Sequence, residues 1–198
     1  MPKLDSATRA TRRQDLVDAA WRSIARKGWG ELTVDDVCAE AGVSKGAFYG
    51  YFDRKQDLLL ALLDDEATRF VDMLATLAAD DTPAAEQLRR LARTMLEGAA
   101  EPGRVQLRAD LWATFAADPA VRDRFAATVA GQRAALRALI QRGVRTGEVA
   151  AVPANALASI LLALTEGLVL HGWLDPPAFQ WANVYQAVDA VLDGVRGR

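Results

Sequence analysis

The chain has 198 residues, 51% of them hydrophobic and 25% charged, with a formal net charge of −2. That is enough apolar material for a packed core, and it excludes an intrinsically disordered chain. One cysteine, Cys38, and one histidine, His171, exclude an intramolecular disulfide, a zinc finger, a CxxC redox pair and any site that needs two imidazoles.

Strand signals are nearly absent and alanine and leucine dominate, so the expectation is an all-α chain of about nine helices. After a loose tail over residues 1–7, Leu16, Ala20 and Ile24 recur at four-residue spacing between Thr8 and Lys27, with Val17 and Trp21 beside them. This is one apolar helical stripe, ended by Gly28 and Gly30. Thr33, with Asp36 three residues on, is a variant capping box for a second helix from Val34 to Ala41, and Gly42 supplies a left-handed stop. Ser44 caps a third helix to about Phe52. Asp53, with Gln56 at the third position, caps a fourth to about Ala79. A fifth opens at Pro83 and ends near Ala100, a sixth spans Arg104 to Ala117, and Asp118-Pro119 starts a seventh that reaches Thr146. Pro153 opens an eighth, to Leu174, and Asp175-Pro176-Pro177 separates it from a ninth. No apolar signal core occurs at the amino terminus, which reads as cytoplasmic.

The informative stretch runs from Thr33 to Leu59. The second helix offers Val34, Val37, Cys38 and Ala41 to a core, a Gly-Val turn follows, and the third helix carries Ala47, Phe48 and Phe52. Two short helices around a glycine-containing turn form a helix-turn-helix, which holds its second helix out for a DNA major groove. The outward residues suit that task. Ser44 leaves amide donors at a helix start, Lys45 can reach a guanine edge or a phosphate, Gly46 and Gly50 permit close backbone approach, and Tyr49 and Tyr51 carry hydroxyls for phosphate oxygens. Lys55 is a poor dipole partner in the first turn of its helix, so its charge points to an external phosphate. Arg9, Arg12 and Arg13 could reach flanking backbone or a minor groove. The same residues also fit an ordinary helical hairpin with two solvated tyrosines and a lysine. Charge is unevenly spread, which random scatter of surface charge explains as well as a DNA-binding end does: residues 1–55 hold ten basic and eight acidic residues, including all four lysines, while residues 56–198 hold 14 and 18. A small domain of net +2 is thus joined to a body of net −4.

The segment GWGELTVDDVCAEAGVSKGAFYGYFDRKQDLL resembles the amino-terminal domain of the tetracycline-repressor (TetR) family of bacterial one-component regulators. The resemblance runs from about Gln14 to Leu63. It implies a DNA-binding domain over residues 1–55 and a helical effector-binding and dimerisation domain over residues 56–198. Carried over by position, phosphate contacts fall on Thr33, Ser44, Tyr49, Tyr51 and Lys55, and base-edge contacts on Lys45, Gly46, Ala47 and Gly50. Gly50 departs from the family pattern, having no side chain where many members place a reading residue, so readout leans on Lys45, Ala47 and DNA shape. The resemblance further implies a homodimeric repressor released from a palindromic operator by a small-molecule effector. A transcriptional activator of the same fold and a helical interaction module without an effector are the alternatives.

The segment ALASILLALTEGLVLHGWLDP more loosely resembles dimer-forming ends near the betaine-responsive repressors. From Ala154 to Leu174 the helix is apolar almost all round, and such a helix must be covered on every side. A partner chain is the economical cover. A membrane span is disfavoured by Glu166 and by the Gly, Ser and His content. Val184, Ala187, Val188, Val191 and Leu192 add a second seam on the ninth helix. Aromatics with a few polar groups suit an effector pocket. The candidates are Phe70, Met73 and Leu77 with Leu74, Met95 with Leu91, then Arg108, Leu111, Trp112 and Phe115 with Leu107 and Asp110, and finally Leu162 and Glu166. Packed core is the competing assignment for each. His171 reads as a core or interface residue and Cys38 as a small core residue.

No enzyme signature emerges, and no cofactor or metal is expected. Ser159 and His171 lie 12 residues apart on one helix, about 18 Å, and cannot pair. Gly28-x-Gly30 lacks the third glycine and the preceding strand of a dinucleotide site. Asp64, Asp65 and Glu66 fan around a helix and default to a solvated face.

Overall fold

The computed structural model describes residues 6–78, 82–99, 101–177, 179–195 and 197. Side chains at 78, 99, 102, 103, 106, 109, 112, 113, 115 and 116 lie outside the described set. So do Ala79 and Ala100, the expected ends of two helices. Among the described residues the elements are nine helices: α1 (Ser6–Glu31), α2 (Val34–Ala41), α3 (Lys45–Tyr49), α4 (Lys55–Ala78), α5 (Ala84–Ala99), α6 (Pro102–Ala117), α7 (Pro119–Thr146), α8 (Ala154–Leu174) and α9 (Trp181–Asp193).

Local chemistry explains most boundaries. Inside α1 the backbone leaves helical geometry at Gly28, whose φ of 76° belongs to the left-handed region that glycine tolerates. The turn after that break starts with amides that have no helical partner, and Asp110 of α6 accepts both, from Trp29 N at 2.7 Å and Gly30 N at 3.0 Å. Thr33 and Asp36 form the expected capping box of α2, and Gly42 ends it at φ 67°. Asp118 caps α7 by accepting from Ala120 N at 2.8 Å. Two expectations need correction. The third helix ends at Tyr49 and not at Phe52, because Gly50 closes it as a C-cap and Phe52 lies beyond the turn that follows. The fourth is not capped by Asp53 and Gln56. Asp57 instead accepts from Arg54 N at 2.9 Å, and Gln56 Nε2 donates to Asp118 at 2.8 Å.

The chain forms two compact units. The first comprises residues 1–66 and 101–125. Its core takes Leu16, Val17, Ala20 and Ile24 from α1, Val37 and Cys38 from α2, Phe48 from α3, Leu58 to Leu63 from α4, and Leu107 and Leu111 from α6. The second comprises residues 67–100 and 126–198, with Phe70, Leu88, Leu91, Leu136, Ile140, Leu161, Leu162, Val188 and Leu192 in its core. The expected division at residue 55 therefore differs from the compact units. Helix α6 carries an apolar face that packs in the same core as α1, so a segment distant in sequence joins the first unit. Helices α4 and α7 each contribute to both units.

Candidate nucleic-acid interface

The α2–turn–α3 segment is built on Phe48. It is fully buried, with ring centroids 5.4 Å from both Tyr49 and Phe52. Fixing Phe48 inward forces its neighbours outward: Tyr49 is 51% exposed, and Ser44, Lys45, Gly46, Ala47 and Gly50 are exposed as well. The α3 surface read from the sequence as DNA-facing is therefore one continuous solvent face.

Each side chain on it has a defined state. Ser44 Oγ accepts from Ala47 N at 3.2 Å, so its hydroxyl serves as the α3 N-cap. Lys45 pairs with Asp35 at 2.8 Å, which raises its pKa. Both partners are more than half exposed, and a pair of that kind is weak enough to open toward a phosphate or a base. A methyl group added at Gly46 would meet nothing closer than Ser44 Oγ at 3.8 Å, whereas at Gly50 it would press on the Ala47 carbonyl at 3.2 Å. Gly46 is thus open to a side chain. Tyr51 is half-buried under the Arg9 guanidinium, 5.6 Å from its ring centroid, and Arg9 also donates to Gly50 O at 3.1 Å. Arg13 lies 5.0 Å over the Phe52 ring. The arginines of α1 are thereby tethered beside α3, while Arg12 stays exposed in a loose pair with Asp15.

Two residues are more committed than the sequence suggests. Thr33 Oγ1 accepts from Asp36 N and donates to the Asp36 carboxylate. Lys55 is half-buried, donates to Trp29 O at 2.7 Å, and sits 4.4 Å over the Trp29 indole. Burial pushes its pKa down, against the pull of Asp110. An internal carbonyl thus supplies the partner that the sequence reading sought in an external phosphate. Trp29 is gripped from both sides, its N–H by Asp110 and its C=O by Lys55, which fixes the end of α1 against α6 and the start of α4.

A carboxylate network holds α2. Asp36 is kept far below the usual carboxylate range by hydrogen bonds from Lys27 and Thr33. Glu40 is lowered by Arg22 at 2.6 Å and by Arg26. Because both folded-state values are depressed, the stability they contribute is present above the unfolded carboxylate pKa and is lost as pH falls through the folded values. Melting temperature is expected to drop as pH falls below about 4, and Asp36→Asn should flatten that drop in a pH series of thermal melts.

The acidic run Asp64-Asp65-Glu66 is not a solvated face. Asp64 pairs with Arg124. Asp65 accepts from Gln14 at 2.9 Å and from Trp21 Nε1 at 2.9 Å. Glu66 is buried and receives Arg104 at 3.3 Å and Arg108 at 3.1 Å. No group of metal-ligating side chains occurs among the described residues.

The expected effector residues do not form one set. Arg108 and Leu111 belong to the first unit, Arg108 on Glu66 and Leu111 in the core with Leu16. The side chains of Trp112 and Phe115 lie outside the described residues. Phe70 and Leu162 are core of the second unit, with Met73 and Leu77 packed against it, and Glu166 is half-buried. Of the fourteen, Leu91 and Met95 line the apolar cleft of that unit, a narrow slit of about 10 Å³ that opens in part to solvent. Its other walls are Leu88, Ala92, Leu96, Leu136, Leu161, Leu164, Thr165, Leu168 and Val188. Helical periodicity is the one sequence feature that points to it.

Residues 16–62 match the family described as bacterial regulatory proteins, tetR family, and residues 83–197 match the carboxy-terminal domain of BetI-type transcriptional repressors. The chain belongs to the TetR family. The HTH-type transcriptional repressor AcnR of Corynebacterium diphtheriae is 25% identical to this TetR-family chain over 99% of its length and 97% of the relative's. A transcriptional regulator of Saccharomonospora viridis in complex with choline has the same fold, with a TM-score of 0.82 and 22% identity over 96% of this chain and 100% of that one. FadR of Bacillus subtilis in complex with stearoyl-CoA is a further structural neighbour, with a TM-score of 0.73 and 17% identity over 90% and 96% of the two chains. This TetR-family protein is a helix-turn-helix transcriptional regulator. Its α2–turn–α3 segment lies inside the matched amino-terminal region, and its relatives are regulators of transcription.

Proposed function

We propose that this regulator is a cytoplasmic homodimeric repressor without catalytic activity. It holds a palindromic operator through α3 and lets it go when a small molecule occupies the second unit. The observation that carries the DNA reading is the outward set Ser44, Lys45, Gly46, Ala47, Tyr49 and Gly50 around an inward Phe48. Within it, Lys45 and Ala47 meet base edges and Ser44 and Tyr49 meet phosphates, joined by the half-buried Tyr51 beside it. Thr33 and Lys55, engaged internally, hold the reading surface in place.

A stripe on α8 supports the dimer. Ile160, Ala163, Gly167, Leu170 and Leu174 follow one another at steps of three and four, and Ile160 and Leu174 are 60% and 61% exposed. The opposite face, Ala158, Leu161, Leu162, Thr165 and Val169, is buried in the second unit. On α9, Val188 and Leu192 face inward while Val191 is 59% exposed. So large an unpaired apolar face on α8 and α9 fits a second copy of the chain. By length and composition α8 could also cross a membrane, with a mean hydropathy of 1.6, but Glu166 sits near its middle. A two-fold dimer would place two α3 helices roughly 34–36 Å apart on one face of DNA. Release requires that the effector bind the non-operator state more tightly, and α4, which belongs to both units, is a covalent route for the shift.

Sedimentation of wild type and Ile160→Glu tests the assembly. The wild type is expected to run as a dimer and the variant, with a charge at the exposed amino-terminal end of the apolar stripe, as monomer. A monomeric wild type would contradict the proposal. A reporter driven from a duplex selected by the protein separates repression from activation, and rising expression would overturn the repressor role.

A further inference from the structure

The cleft of the second unit has an unusual chemistry for a regulator's binding site. Ten of its eleven lining side chains are Leu, Ala, Val or Met, and the eleventh is Thr165. No aromatic ring and no charged side chain lines it. A quaternary ammonium needs aromatic faces or a carboxylate to replace its hydration, and a phosphate or carboxylate needs cationic donors. Neither is present. The one polar function is the Thr165 hydroxyl, whose proton is committed to Leu161 O at 3.0 Å. What remains for an occupant is the lone pair of that oxygen, an acceptor for a single O–H or N–H. The space between these walls is a slit of about 10 Å³, about what one water molecule fills, so any occupant must part the walls, and a thin chain does so with less rearrangement than a ring. Met95, unbranched and half-buried on the wall, is the side chain best able to move aside.

We infer that the cleft between α5, α7, α8 and α9 binds an uncharged, unbranched aliphatic molecule that carries one hydroxyl-type donor. This inference rests on the reading of the second unit as the effector-binding unit and names the ligand class for it. The cleft also explains how such a ligand would act. Leu161 and Leu168 line it from α8 and Val188 lines it from α9, while the outward faces of the same two helices carry the exposed stripe. A chain that wedges the cleft open displaces the helices proposed to pair the protomers.

The test uses the full-length protein and a series of primary alcohols from 1-hexanol to 1-decanol, with choline and decanoate as charged comparators, read by titration calorimetry. Each added CH2 is expected to tighten binding by about fourfold, the value of one buried methylene. Ala92→Phe, which fills the cleft, is expected to weaken 1-decanol by about tenfold or more, the equivalent of two methylenes. Should Ala92→Phe fail to fold, Leu164→Trp fills the same space from a half-buried position. Absence of alcohol binding, binding without the chain-length ladder, binding unaffected by a filling variant, or tighter binding of choline than of 1-decanol would each overturn the inference. Release of a selected duplex is measured in parallel. Alcohol binding with the ladder but without release would leave the ligand class standing and remove the effector role, whereas choline-driven release would do the reverse.

Discussion

Phe48→Ala is expected to cost about 3–5 kcal/mol of folding stability, the usual penalty for truncating a buried phenylalanine. For a chain of this size that corresponds to a fall in melting temperature of about 6–20 °C. The site is unfavourable for collapse. Phe48 is fully buried, it is the one buried residue of a five-residue helix, and that helix has too few internal hydrogen bonds to persist without its anchor. Loss of duplex binding should therefore exceed the loss of global stability, because α3 detaches before the first unit melts. Thermal melts and duplex titrations on the same preparation check this. A variant with wild-type duplex affinity would show that Phe48 does not position the reading surface.

Glu66→Ala is expected to cost a similar amount, about 3–5 kcal/mol, for a different reason. Glu66 is the carboxylate between Arg104 and Arg108, whose side chains are only 19% and 17% exposed. Removing it takes from both arginines the buried carboxylate they share, leaving Arg104 to the exposed Glu101, and breaking a buried ion pair is among the costlier defects in a fold. Arg104 also lies 5.2 Å over the Trp21 ring of α1, so the damage reaches the helix that supports α2. Glu66→Gln retains shape and hydrogen-bonding capacity, and its loss should be clearly smaller. Denaturant titration distinguishes the two. Equal destabilisation by Ala and Gln would mean that packing, not charge, is what Glu66 contributes.

Features set by local chemistry were legible in the sequence. The bounds of α2, the left-handed stop at Gly42, the Asp118 cap of α7 and the whole of α8 follow from capping residues and apolar spacing that act over one or two turns. The outward set on α3 was legible for the same reason, since Phe48 and Phe52 define the inward side. Features set by distant partners were not. Nothing near Lys55 announces that Trp29, 26 residues earlier, will offer its carbonyl. Nothing near Arg108 and Leu111 announces that α6 packs with α1. Periodicity identifies a buried face but not what buries it, which is why the fourteen expected effector residues are divided between two units. Asp64, Asp65 and Glu66 show the same limit: three adjacent acids on a helix look solvated until their arginine, glutamine and tryptophan partners arrive from other helices.

The net charge of −2 conceals a segment, residues 1–55, of net +2 that contains every lysine, and the proposed repressor grips DNA through the α3 face of this segment. The most direct test is the salt dependence of binding to a duplex selected by the full-length protein, measured for wild type, Lys45→Ala and Tyr49→Phe. Wild-type log K should fall linearly with log salt, with a slope of about −0.9 for each phosphate neutralised. Lys45→Ala should weaken binding to the selected duplex, and Tyr49→Phe should weaken it without changing the slope, because a neutral hydroxyl displaces no counterion. A slope near zero, or three superimposable titrations, would contradict the account.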